Sequence, residues 1–192
     1  MKYEMPGIER ELCDNSTIKR MTGGANFKAG ALADEYRIPQ LAPLAVVVNN
    51  ERREAELLVR VRVVEAPSGA KVKVDKGAPL AAGMFLCDGE NTIIISTVDT
   101  TNDDYDEIEA TASITGFKLN SIAFEATDES AKKPKGVATH LNYAYTSVKK
   151  AKENGITPIY RAFEVRESKL YIPLTKEDKK SLKENGVFVF TY

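Results

Sequence analysis

The stretch over residues 57–96, LLVRVRVVEAPSGAKVKVDKGAPLAAGMFLCDGENTIIIS, constrains the fold more than any other part of the chain. Val59, Val61 and Val63 alternate with Arg60 and Arg62, and beyond Pro67-Ser68-Gly69 the alternation resumes as Val72 and Val74 between Lys71 and Lys73. Successive side chains of a strand point to opposite faces, so this two-residue period on either side of a Pro/Gly turn predicts a hairpin. Lys76-Gly77-Ala78-Pro79 and Gly83 punctuate the chain before Met84-Phe85-Leu86, Asp88-Gly89 turns it again, and Ile93-Ile94-Ile95 is too short and too branched for a helix. Short strands in such close succession predict a small antiparallel barrel or sandwich, with the valines inward and Arg60, Arg62, Lys71 and Lys73 on the outer face.

The flanks read differently. Over residues 1–36 the apolar positions are scattered and Thr22-Gly23-Gly24 and Gly30 break the chain, so the expectation is an extended N-terminal arm without a core of its own. Residues 37–126 form the expected β-rich core, entered through the buried-strand candidate Leu41-Ala42-Pro43-Leu44-Ala45-Val46-Val47-Val48, and residues 127–192 an α+β part packed against it. In that last part Leu141, Ala144, Tyr145, Val148 and Ala151 share one helical stripe, and Thr175 with Asp178 three positions later predicts a capping box opening a second short helix that ends at Asn185-Gly186. Val187-Phe188-Val189-Phe190 predicts a closing strand. The fold class is therefore mainly β with some α, a small antiparallel barrel or sandwich with two short C-terminal helices.

Charge enters because the sum conceals its distribution. The formal net charge is −1, yet residues 51–130 carry eight Lys and Arg against sixteen Asp and Glu, while residues 131–192 carry thirteen against six. Such polarity suits either head-to-tail association of copies or two solvated faces of one domain. The near-neutral total gives no general attraction to nucleic acid or to an anionic membrane, and no stretch has the ~18 consecutive apolar residues of a membrane span.

Catalytic signatures are sparse. His140 is the single histidine, there is no G-x-S-x-G elbow, and Cys13 and Cys87 stand in no recognisable nucleophile context. The glycines at 23, 24 and 30 lack the spacing of a phosphate or dinucleotide loop. The acidic run Asp99-Thr100-Thr101-Asn102-Asp103-Asp104-Tyr105-Asp106-Glu107 is dense in oxygen ligands but lacks the order and the closing Glu of a calcium loop. The expectation is a non-enzyme without cofactor or metal. A small hydrolase remains the alternative only if a pocket collects His140 with Cys87 or with the acidic run.

Arg37-Ile38-Pro39, the strand pattern APLAVVVNNERREAELLVRVRVV, the segment KVKVDKGAPLAAGMFLCDG with its Lys76, Gly77, Leu80, Gly83 and Leu86 frame, and the tail from Asn142 onward together resemble head-decoration or head-fibre proteins of tailed bacteriophages, in particular those of crAss-like Bacteroides phages. The resemblance covers most of the chain from about residue 30. It implies an auxiliary capsid protein made in the host cytoplasm and bound to the outer surface of the virion head. The implied partners are the major capsid protein and further copies of the chain as a dimer or trimer. It offers no catalytic residue to carry over. With the arm as the capsid contact, the candidate residues there are Arg10, Lys19, Arg20, Phe27, Tyr36 and Arg37, and with the β core as the contact between copies they are Arg60, Arg62, Lys71 and Lys73. The alternative in a different class is a non-enzymatic binding module, a host-glycan or adhesin domain.

Overall fold

The computed structural model describes residues 12–27, 32–150 and 154–192. Its central stretch folds as the alternation predicts, into β6 (Arg60–Ser68), β7 (Lys71–Asp75), β8 (Phe85–Cys87) and β9 (Thr92–Asp99), and the residues that follow add β10 (Tyr105–Ala110) and β11 (Ile122–Ala126). These six strands pair antiparallel in the order β10-β7-β6-β11-β8-β9, and β9 meets β10 to close a barrel. Gly69, with φ at +63°, makes the β6–β7 turn in a backbone region that disfavours residues with a Cβ. The interior is filled by side chains rather than left as a lumen: Val61, Val63, Val72, Val74, Leu86, Ile95, Ile108, Phe117 and Ala123 are at most 1% exposed.

Both flanks of the chain build a second sheet. Its strands are β1 (Asp14–Arg20), β2 (Ala25–Phe27), β4 (Pro43–Asn49), β5 (Arg52–Leu57), β12 (His140–Asn142), β14 (Asn154–Ile156), β15 (Pro158–Arg166) and β16 (Val187–Thr191). They run in the order β1-β15-β12-β4-β5-β2-β14, with β16 added parallel to β15, while β3 (Arg37–Ile38) and β13 (Thr146–Ser147) form a separate two-stranded ladder. Strand β4 shows why the sheet is stable. Leu41 and Ala45 pack into one apolar cluster, and Ala42, Leu44 and Val46 into another, so the lead-in and first half of the strand are covered on both faces, whereas Val47 and Val48 are exposed and correct the expectation of a buried strand that runs to Val48.

The arm is extended, as expected, but its described part is seated in the chain's own sheet. Strand β1 pairs antiparallel with β15, and β2 lies between β5 and β14 with Phe27 buried beside Ala55, Leu57 and Ile156. Gly24, with φ at +62°, admits the chain at this point, since a Cβ there would stand 2.7 Å from the Ile156 carbonyl oxygen. The division at 36 accordingly moves to the start of β6, while that at 126 coincides with the end of β11: residues 60–126 are the barrel, and the described segments before and after it share one sheet.

One helix expectation is corrected. Residues 141–150 hold β12, a turn and β13, although Leu141 and Val148 are fully buried as a helical stripe would also require; Ala151 lies outside the described residues. Pairing of Leu141 with both Pro43 and Ile159 supplies backbone bonds on two sides, which the isolated stripe had no means of indicating. The other helix, α1 (Lys176–Asn185), forms with the predicted capping box: Thr175 Oγ1 accepts from Asp178 N–H and Asp178 Oδ2 accepts from Thr175 N–H, both at 3.0 Å.

Barrel, sheet and helix meet at one ion pair. Arg60, 1% exposed, donates from Nε to Asp178 Oδ2 at 2.9 Å and from Nη2 to Oδ1 at 3.1 Å, and its remaining bonds go to the carbonyls of Val59 at 2.9 Å and Gly136 at 2.6 Å. Asp178 Oδ1 also receives Ala138 N–H at 2.9 Å. Arg60 therefore corrects the outward-facing expectation: the alternation that put it opposite the valines is right, but the face opposite the barrel interior is here covered by α1 and by the segment at 136–138. Asp178→Ala should destabilise the protein by about 3–5 kcal/mol in chemical unfolding, because it leaves a buried guanidinium unpaired. Phe27→Ala should cost about 3–5 kcal/mol if β2 belongs to the core, whereas a detached arm would show no loss.

Candidate docking surface

The residues named from the sequence scatter once their surroundings are known. Lys19 and Arg20 are exposed on β1, where the Arg20 guanidinium lies 4.9 Å from the centre of the Tyr143 ring. Arg37 is exposed on β3 and stands 5.6 Å from the Tyr145 ring. Tyr36 is half-buried and its hydroxyl donates to the Gly77 carbonyl at 2.9 Å, tying the N-terminal segment to the barrel. Phe27 is core and offers no surface, and Arg10 lies outside the described residues.

On the barrel face both lysines are matched. Lys71 pairs with Glu107 across the β7–β10 ladder at 2.6 Å, and Lys73 pairs with Glu65 at 2.8 Å while lying 4.7 Å from the Tyr105 ring. Arg62 gives its backbone N–H to Asp75 Oδ1 at 2.7 Å. Lys135 does the same for the C-terminal third, bridging Glu125 at 3.0 Å and Glu56 at 3.5 Å. The charge polarity of the sequence is thus partly folded back onto itself, which sequence order alone does not reveal. Exposed pairs of this kind contribute about 0–1 kcal/mol each, so they blunt the face more than they stabilise it.

The acidic run is also organised from within. Asp99 Oδ1 accepts Thr101 N–H at 2.9 Å, Asn102 Oδ1 accepts Asp104 N–H at 2.8 Å, and the Lys76 ammonium enters the loop to the carbonyls of Thr100, at 2.8 Å, and Asn102. Asp99, Thr101, Asn102, Tyr105 and Glu107 line an open concavity of about 290 Å³. Among the described residues no group of three or more His, Cys, Asp and Glu is gathered in a metal-holding arrangement.

Nor are the reactive candidates brought together. His140 sits on β12 of the large sheet with Nδ1 3.0 Å from Thr139 Oγ1, and burial together with the nearby Arg53 charge lowers its pKa, which keeps the ring neutral. Cys87 is fully buried on β8 of the barrel, packed with Phe124 and Ala126. Cys13 lies beneath the start of β1, where burial and the adjacent Asp14 push its thiol up to about 11.

What the sequence reading passed over is the outer edge of β16. Val187 is 52% and Val189 47% exposed, and the strand VFVFT contains no charge and no proline. Among the described residues β16 has β15 as its one strand partner. Edge strands of this length are ordinarily protected by Lys, Pro or a bulge; β16 has neither Lys nor Pro, and the irregularity in its ladder lies on β15 between Ala162 and Val165. The alternation of Val and Phe already signals two apolar faces, and only the packing of Phe188 with Leu182 on one face shows that the Val187 and Val189 face is left bare.

With about one thiol in a thousand ionised at pH 8, Cys13 should react with a thiol-specific disulfide reagent at least tenfold more slowly in the folded protein than after denaturation. Equal rates would mean an exposed, activated thiol. No protein-family model matches the chain, and neither a curated protein nor a solved structure matches it.

Proposed function

We propose that the chain is a structural protein of a virion, an auxiliary or decoration protein bound to the outside of a phage head, with the major capsid protein and further copies of itself as its partners. The observation that carries this reading is the bare, uncharged edge of β16, where exposed Val187 and Val189 stand on a sheet whose other side is anchored by α1 and the Leu182 and Phe188 core. Exposed apolar side chains on an unprotected edge are the chemistry of a protein–protein contact. The barrel face supports the same reading in a weaker way, since Lys71 and Lys73 are engaged with Glu107 and Glu65 rather than converging on a pocket. The resemblance to head-decoration proteins adds the kind of larger surface such an edge would meet.

Many copies binding one lattice need only modest affinity per site, because each attached copy raises the effective concentration of the next contact. The experiment is the mass of the purified protein in solution, followed by co-sedimentation with capsids assembled from the major capsid protein of the same phage. Saturable co-sedimentation is the expected result. A stable monomer that ignores capsids, yet binds surface polysaccharide saturably, would replace this reading with the host-binding module.

A further inference from the structure

The acidic run between β9 and β10 has a cation of its own. Residues 99–107 hold five carboxylates in nine positions, those of Asp99, Asp103, Asp104, Asp106 and Glu107, whose mutual repulsion calls for a positive partner. Residues 100–104 lie between the two strands and outside their ladder, so their carbonyls take donors from elsewhere.

Lys76, just past the end of β7, supplies both needs. Its Nζ donates to the Thr100 carbonyl at 2.8 Å, to the Asn102 carbonyl, and to Asp106 Oδ1 at 3.3 Å. An ammonium has three N–H donors, and here two carbonyls and a carboxylate accept all of them. The side chain is held in place: it is 13% exposed, and the Asp106 side chain that receives it is 3% exposed. Its root is pinned as well, because Asp106 Oδ2 accepts Gly77 N–H at 3.0 Å and the Tyr36 hydroxyl donates to the Gly77 carbonyl at 2.9 Å. Lys71 and Lys73, by contrast, meet Glu107 and Glu65 on the strands. Backbone carbonyls and a carboxylate gathered at one acidic loop are the ligands that a hard divalent cation collects. The charge among them is tethered to the chain.

We propose that Lys76 is the resident cation of the 99–107 loop: its ammonium takes the place that a calcium or magnesium ion would hold among Thr100, Asn102 and Asp106, and the loop keeps its shape without metal. The acidic run is thereby a fixed part of the barrel, indifferent to the concentration of divalent ions. A compact point charge on a long stem suits this role, since it reaches the loop without placing a planar group there. Nothing in the role depends on what the protein binds.

The test is amide hydrogen exchange on the intact protein, in EDTA and in calcium, comparing wild type with Lys76→Met, which keeps an unbranched stem and loses the three donors. The reporters are Thr101 N–H and Asp104 N–H, which donate within the loop to Asp99 Oδ1 at 2.9 Å and to Asn102 Oδ1 at 2.8 Å, with the β10 amides as the control for global opening. Wild-type exchange at the reporters should agree within about twofold in the two media, and Lys76→Met should exchange there roughly tenfold faster with β10 unchanged. Wild-type protection that falls more than about twofold in EDTA makes a metal the cation and overturns the proposal. So does a Lys76→Met loop that stays within about twofold of wild type. Should Lys76→Met fail to fold, nitrogen-15 NMR of the wild-type lysine ammonium groups decides the matter. Lys76 ammonium protons that exchange at least about tenfold more slowly than those of Lys180, whose side chain is 78% exposed, support the proposal, and equal rates overturn it.

Discussion

The arrangement of the whole chain depends on the buried contact between Arg60 and Asp178. A guanidinium does not deprotonate in a protein, so an Arg at 1% exposure has to find an acceptor for each of its donors or carry a penalty of several kcal/mol. Here the acceptors come from three places: a carboxylate in the first turn of α1, the preceding residue on the barrel strand, and Gly136 on the connection back to the large sheet. Asp178 is saturated in return, by Arg60, by Ala138 N–H and by its own capping box. The same carboxylate caps the start of a helix and neutralises a strand residue 118 positions away. Because a buried ion pair gains little net stability over an apolar substitute, what the contact contributes is one relative placement of barrel, sheet and helix.

From that fixed point the division of labour in the molecule follows. The barrel is local in sequence, closes on itself and has no free edge, so nothing on it invites further strand pairing. The large sheet gathers its strands from both ends of the chain and does have edges. The strand order ends at β1, exposed and polar with Lys19 and Arg20, and at β14, while β16, added beside β15, is uncharged and partly bare. The contrast in edge chemistry within one sheet is what directs the proposed protein–protein contact to β16.

The candidate contact residues divide along the same line. Lys71 and Lys73 are outward, as strand alternation requires, but cross-strand and neighbouring glutamates absorb them. Phe27 is an apolar residue in a polar segment, a pattern that reads equally well as a docking anchor or as core, and the sheet made it core. Arg60 looks identical to Arg62 in sequence. The difference between them is that α1 packs over one position and not the other, a tertiary fact with no local signature.

The sequence by itself determined the strands of the barrel, its turns, the capped helix and the final strand, because each rests on interactions within a few residues: period-two alternation, glycine at positive φ, and the Thr175–Asp178 box. Tertiary structure alone decided three things. It turned the stripe from 141 to 148 into strands by placing Pro43 and Ile159 on either side of Leu141. It drew the N-terminal segment into the sheet beside β5 and β15, and it buried one arginine of an alternating pair. In each case the deciding partner lies a hundred or so residues away or is shared between two neighbours, and pairing energy of that range is invisible to any window along the chain.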